Sequence, residues 1–185
     1  MDLRRTRREH LSNLVGLAGI VIGVTVTPRE TEAAQRPVPG ISVWSIDGNL
    51  QKLSDFYGKP LLLNTYSPGC TPCVDGFPIL NQLSSSIGVL GIFCDWGYDF
   101  TIDKAHLLEE TRGHKMDFPS VVVTNRGERE LDSFREKEMQ QGGTKGYPGY
   151  YVLDSSGVCT HYQAGGLTFN GNEAHLRRAI EIGLR

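Results

Sequence analysis

From Ile41 onward the chain alternates short apolar runs with stretches whose apolar positions recur every three or four residues. The first pattern suits strands, and the second suits helices with one buried face. "ISVWSI" (Ile41–Ile46) predicts a strand, and "DGN" (Asp47–Asn49) a turn into "LQKL". "KPLLLNTY" (Lys59–Tyr66) is a continuous apolar run, which predicts a central strand buried on both faces. Residues 71–86 predict a helix, with Phe77, Leu80 and Leu83 on one side. "GVLGIFCD" is a second buried strand, and "FPSVVVT" a short one. "TIDKAHLLEETRG" predicts a helix capped by Thr101 and stopped by Gly113. "GYYVLD–SSG–VCTHYQA" predicts a hairpin turning at Ser155–Gly157, and "NEAHLRRAIEIGL" a closing helix. The charged stretch "NRGERELDSFREKEMQQGGTKG" predicts a solvated loop and helix. Strand–helix–strand units followed by a hairpin and a helix predict an α/β fold with a mixed sheet.

The first forty residues break this rhythm. Arg4, Arg5, Arg7 and Arg8 precede the apolar run Leu14–Val26, and a polar segment follows. That is the three-part layout of an export signal. "TRREHLS" (Thr6–Ser12) resembles a twin-arginine signal, with His10 where an aromatic or Leu is usual. The apolar run is shorter than the roughly 20 residues of a standard membrane span. A buried amphipathic helix is the competing reading, but it has no use for four arginines ahead of an all-apolar face. The expected organisation is residues 1–34 as export signal or membrane anchor, 35–40 ("QRPVPG") as linker, and 41–185 as one domain. The expected location is outside the cytoplasm, soluble after cleavage or tethered by the N-terminal segment.

With 185 residues, 39% of them apolar, the chain can build one domain with a real core plus an appendage. A net charge of -2 argues against a nucleic-acid partner. The candidate chemistry lies in "SPGCTPC", where Cys70 and Cys73 stand three apart between a buried strand and a helix. A cysteine at a helix start meets free backbone N–H groups that stabilise its thiolate. Its partner one turn on falls within the roughly 4.4–6.8 Å Cα separation that a disulfide tolerates. A zinc site would need four ligands, and Cys94, Cys159 and His161 do not supply knuckle spacing. An inert disulfide is also possible, but so small a loop adds little stability.

The wider segment resembles the exported TlpA/ResA type of thioredoxin-fold thiol–disulfide oxidoreductases, from about Pro39 to Leu184. The resemblance rests on "LSDFYGKP", Asn64 six before the first cysteine, the CxxC, Pro78, and "GYPGYYVLDSSG". It implies a three-layer thioredoxin-like fold with a mixed central sheet. Cys70 would attack a substrate disulfide, and Cys73 would resolve the mixed disulfide. Pro148 would be cis, and Tyr147, Pro148 and Gly149 would line the groove for an extended substrate strand. The charged stretch ahead of Pro148 would border that groove. The implied partners are a disulfide-bearing client and a membrane electron donor or acceptor; no metal or cofactor is implied. The chain departs from the pattern at Gly69, where Trp is usual, at Thr65–Ser67, and at Gly76, where many members carry a buried Glu. Asp75 points about 100° away from that position on a helix.

"SPGCT" also resembles the active-site string of PrxQ-like peroxiredoxins, with Ser67 as the peroxide-binding hydroxyl. That chemistry asks for an arginine near the later strand, and "YPGYYVLD" has none. A non-catalytic assembly or binding module on the same fold is the third reading. On a thioredoxin-type sheet, Cys94 and Cys159 would sit about 14 Å apart, too far to pair. Cys94 reads as a buried thiol, and Cys159 as more exposed on an edge strand.

Residues 1–40 fused to a reporter active only outside the cytoplasm are expected to give reporter activity. Arg7→Lys with Arg8→Lys is expected to reduce it strongly. A fusion that accumulates inside the cell without activity contradicts the export assignment.

Overall fold

The computed structural model describes residues 36–94, 100–123, 125–138 and 146–184. The expected export segment, residues 1–34, lies outside them.

Seven strands form one mixed sheet in the order β2-β1-β5-β4-β3-β6-β7. They are β1 (Ser42–Ser45), β2 (Leu50–Lys52), β3 (Leu61–Tyr66), β4 (Gly88–Phe93), β5 (Ser120–Val123), β6 (Gly149–Leu153) and β7 (Cys159–Ala164). β3 runs parallel to β4, and β4 parallel to β5; the remaining pairs are antiparallel. All six residues of β3 are buried, because both sheet faces are covered there.

Side-chain alternation sorts the core into two layers. Leu62, Tyr66, Val89, Phe93, Tyr150 and Val152 face the layer built by α1 (Thr71–Val74), α2 (Phe77–Leu83), α3 (Phe100–Gly113) and α5 (Asn172–Gly183). Leu63, Leu90, Ile92, Tyr151 and Leu153 face the other way, onto α4 (Asn125–Glu138) and the segment around Val38 and Leu53. The expected three-layer arrangement is therefore present. Among the described residues, no helix is long and apolar enough to cross a membrane.

Several expectations need correction. The helix expected over residues 71–86 is two short helices, α1 and α2, separated by Asp75 and Gly76. Pro78 has no N–H to donate to the Val74 carbonyl, and its ring crowds that carbonyl, so the ladder breaks there. Thr101 is not a cap. An N-cap has non-helical backbone, and α3 already contains Thr101 because it starts at Phe100. The charged stretch does form a helix, but it is not simply solvated: Leu131, Phe134 and Arg135 of α4 are buried. Cys159 is fully buried rather than exposed, because the N-terminal segment covers the hairpin. Pro37 bridges to Val158, Val38 N–H donates to the Gly157 carbonyl at 2.9 Å, and the Tyr57 hydroxyl donates to the Val38 carbonyl at 2.8 Å. Residues 37 and 38, expected as linker, thus belong to the packed fold.

This burial sets the alkaline limit of stability. Burial pushes the Cys159 thiol from 9.0 up to about 12, and burial with the nearby Cys159 pushes the Tyr57 phenol from 10.0 up to about 12. Burial also raises Tyr150 and Tyr151 above 10.0. Below pH 9 these groups hold their protons in both states. Above it the unfolded chain loses protons that the folded chain keeps, so stability falls as pH rises. Urea midpoints are expected to decline steadily from about pH 9 to 11. A constant midpoint across that range contradicts these burial assignments.

Candidate active site

β3 delivers the chain to the site. After Tyr66, Ser67–Pro68–Gly69–Cys70 makes a tight turn in which Cys70 N–H donates to the Ser67 carbonyl at 3.4 Å. Gly69 has φ +69, and Pro68 precedes it, which is the type II pattern. This explains Gly69: a Trp at that position would have to adopt a left-handed backbone. Cys70 then sits at the N-cap of α1, a helix of only 4 residues. So short a helix has little macrodipole to offer a Cys70 thiolate.

Cys70 and Cys73 are disulfide-bonded, with S–S 2.04 Å and Cα–Cα 5.3 Å. They are unequal. Cys70 is half-buried, whereas Cys73 is 1% exposed and packs with Phe77, Leu80 and Tyr150. Asp75 is exposed, pointing away from this core as expected. Cys94, just past β4, and Cys159, at the start of β7, are buried and not disulfide-bonded, with β3 and β6 between those strands.

The Tyr147–Pro148 bond is cis. Gly149 lies inside β6, in register with Thr65 of β3 and Ala164 of β7, so both its edges are paired. Thr65 Oγ1 donates to the Gly149 carbonyl at 3.3 Å. Tyr147 precedes the paired strand and packs against both core layers. Its hydroxyl donates to Glu128 Oε1 of α4 at 2.7 Å. Burial, the nearby Cys94 and this bond push the Tyr147 phenol well above 10.0.

Some contributors have no motif in the sequence. Gly165 N–H donates to the Pro148 carbonyl at 2.9 Å, and a Cβ on Gly166 would lie 3.1 Å from Pro72 Cβ. The Gly165–Gly166 turn therefore joins the cis-proline segment to the CxxC loop. Phe169, 53% exposed, packs its ring beside Gly166 and adds an apolar rim. Glu128 on α4 holds Tyr147 from the other side of the sheet. A Gly pair and one Glu in a charged run carry no local signature; only the folded sheet brings them here.

Arg135, the buried arginine among the described residues, lies on the α4 face with Asp132, 4.0 Å away, and not with the cysteine pair. No group of three or more metal-binding side chains occurs among the described residues. A cleft of about 340 Å³ between β7 and α5, lined by Thr160, His161, His175 and Arg178, shares no residue with the Cys70 loop. Thiol exchange with a protein disulfide needs an accessible sulfur rather than an enclosed cavity, so that cleft is not the redox site.

No family model matches the chain. A curated relative, the thiol-disulfide oxidoreductase YkuV of Bacillus subtilis, is 23% identical over 153 residues, covering 79% of this chain and 95% of YkuV. A solved thiol:disulfide interchange protein from Bacteroides sp. superposes with TM-score 0.60 at 17% identity, covering 79% of this chain and 88% of that one. The fold is thioredoxin-like. A thioredoxin family thiol:disulfide interchange protein from Chlorobium tepidum gives TM-score 0.57 at 20% identity, covering 83% and 100%. A secreted Mycobacterium tuberculosis disulfide oxidoreductase homologous to E. coli DsbE gives 0.57 at 13%, covering 77% and 96%.

On this thioredoxin-like framework, the space beside Gly76 is already taken. A Cβ there would stand 3.1 Å from the Tyr150 hydroxyl and 3.3 Å from the Cys73 carbonyl. Gly76→Glu is therefore expected to cost about 1–3 kcal/mol in urea unfolding, by overpacking a filled site. Gly76→Ala should be better tolerated in a Tyr150→Phe background than alone. Equal costs in both backgrounds contradict the contact.

Proposed function

We propose that this protein is a thiol–disulfide oxidoreductase that acts outside the cytoplasm and reduces protein disulfides. The observation that carries this is the disulfide-bonded Cys70–Cys73 pair just after β3, with Cys70 half-buried and Cys73 fully buried. The cis-proline segment beside it and the named activity of the curated relative support the same conclusion. Reduced Cys70, as thiolate, attacks a sulfur of the client disulfide and forms a mixed disulfide. Cys73 then attacks Cys70, releasing the client as a thiol and restoring the internal disulfide. Electrons re-enter from a donor protein, which for an exported enzyme is carried by the membrane.

In this proposal the client strand lies along Tyr147, ahead of the paired strand β6. Pro148 shapes the groove there, and Gly149 lets β6 approach β3 closely. Residues 1–34 provide the export signal or tether. The secreted relative and the basic-then-apolar N-terminus both favour that location. A peroxidase would need an arginine beside Cys70, and the placement of buried Arg135 on the opposite face argues against it.

Turnover of a model protein disulfide is expected for the wild type and is expected to be abolished in Cys70→Ser. Cys73→Ser should accumulate a mixed disulfide through Cys70, visible by mass spectrometry. A reduction potential near about -270 mV is expected for a reductant, and a value near about -120 mV would reverse the proposed direction. If Cys73 is alkylated faster than Cys70 below about pH 8, the two roles are exchanged.

A further inference from the structure

The layer beneath Cys73 is apolar except for the hydroxyls of Tyr66 and Tyr150 and the side-chain amide of Asn64. Tyr150 is wholly buried, and its hydroxyl has no hydrogen-bond partner. Asn64 is 1% exposed, and neither atom of its side-chain amide has a partner. They are register partners across the β3–β6 pair, so they project from the same sheet face. That is the face on which Cys73, Phe77 and Leu80 pack. The Tyr150 hydroxyl reaches the start of α2, where it lies 3.1 Å from the position a Gly76 Cβ would occupy. The Cys73 carbonyl lies 3.3 Å from that same point, so the hydroxyl and the turn that carries Cys73 border the same small space at Gly76.

Buried donors without acceptors are costly. In the oxidised protein the Cys73 sulfur is bonded to Cys70 and carries no charge. Reduction gives this apolar layer a thiol that can ionise, and a buried thiolate needs a donor. We propose that Tyr150 is the thiolate-stabilising residue of the resolving step: its hydroxyl donates a hydrogen bond to the Cys73 thiolate, with the Asn64 amide completing a polar floor under that sulfur. This rests on the oxidoreductase function proposed above. Burial keeps the Tyr150 phenol protonated, which suits a donor and excludes a base.

The step balances as follows. In the mixed disulfide, Cys73 S–H gives its proton to solvent water, and the Tyr150 hydroxyl holds the resulting thiolate. That thiolate attacks Cys70 Sγ. The Cys70–Cys73 bond forms, the Cys70–client bond breaks, and its electron pair leaves on the client sulfur. The client thiolate takes a proton from solvent, and the protein dithiol has been oxidised.

The test is a pH titration of the reduced full chain with ¹³Cβ-labelled cysteine, with the Cys73 signal assigned by its loss in Cys73→Ser. Tyr150→Phe keeps the ring and removes the donor. Its Cys73 midpoint is expected to rise by about one unit, a tenfold loss of thiolate. Collapse of a Cys70 mixed disulfide should slow about tenfold at pH 7, and the difference should vanish above the new midpoint. Site-specific 3-fluorotyrosine at position 150 strengthens the donor and should lower the midpoint, an opposite sign that a packing role cannot produce. The 3-fluorotyrosine variant keeps the test decisive if Tyr150→Phe does not fold. An unchanged Cys73 midpoint in the folded variants overturns the proposal, whatever happens to turnover. If the midpoint moves but the wild type reduces no disulfide, the oxidoreductase function fails while the Tyr150–Cys73 contact stands.

Discussion

The two-sided burial of β3 is the constraint on which the redox end depends. β3 pairs with β4 along one edge and β6 along the other, and every residue from Leu61 to Tyr66 is buried. A slip of one residue would exchange the two faces and put Leu62 and Tyr66 into the wrong layer. The strand therefore leaves the sheet at one place and in one direction. The Ser67–Cys70 turn starts from that fixed point, so the position of Cys70 is inherited from core packing. The Cys94 N–H closes the arrangement by donating to the Tyr66 carbonyl at 2.8 Å.

What β3 does for Cys70, the break between α1 and α2 does for Cys73. Interrupting the helix at Gly76 lets α2 settle its apolar residues Phe77, Leu80 and Leu83 onto the sheet, while α1 holds Cys73 at the boundary of that layer. Glycine at the break admits the Tyr150 hydroxyl from β6. The same few residues thus set the depth of one sulfur and the exposure of the other. Unpartnered buried polar groups each cost about 1–3 kcal/mol. A fold that keeps Asn64 and Tyr150 beneath its reactive pair accepts local instability where chemistry takes place.

The opposite layer has a positioning role. α4 is joined to Tyr147 by the Glu128 bond, and Tyr147 touches both core layers at once. The cis-proline segment is therefore held by α4 on one side and by the Gly165 bond to Pro148 on the other. At the far end of β6, the segment around Pro37 and Val38 covers the hairpin beside Val158 and helps bury Cys159 at the start of the edge strand. Both edges of the β6–β7 unit are thus anchored by segments remote in sequence.

Most of the framework was legible along the chain, because the signals are local. The continuous apolar run of β3, the Ser155–Gly157 turn, the closing helix and the CxxC spacing each need only a few neighbouring residues. The resemblance also carried the cis-proline. Errors arose where local signals competed or where the partner was distant. Thr101 looked like a cap, yet α3 begins one residue earlier. Residues 71–86 had a helical period throughout, but Pro78 broke the hydrogen-bond ladder. The sequence by itself determined which segments become strands and helices, and where two cysteines could meet. Only the tertiary structure decided that Tyr150 fills the space at Gly76, that Gly166 abuts Pro72, that Glu128 holds Tyr147, and that Cys159 is covered. Those contacts depend on strand order and on which face each side chain takes. Both are settled by how the whole sheet buries its two faces, and not by any single stretch of residues.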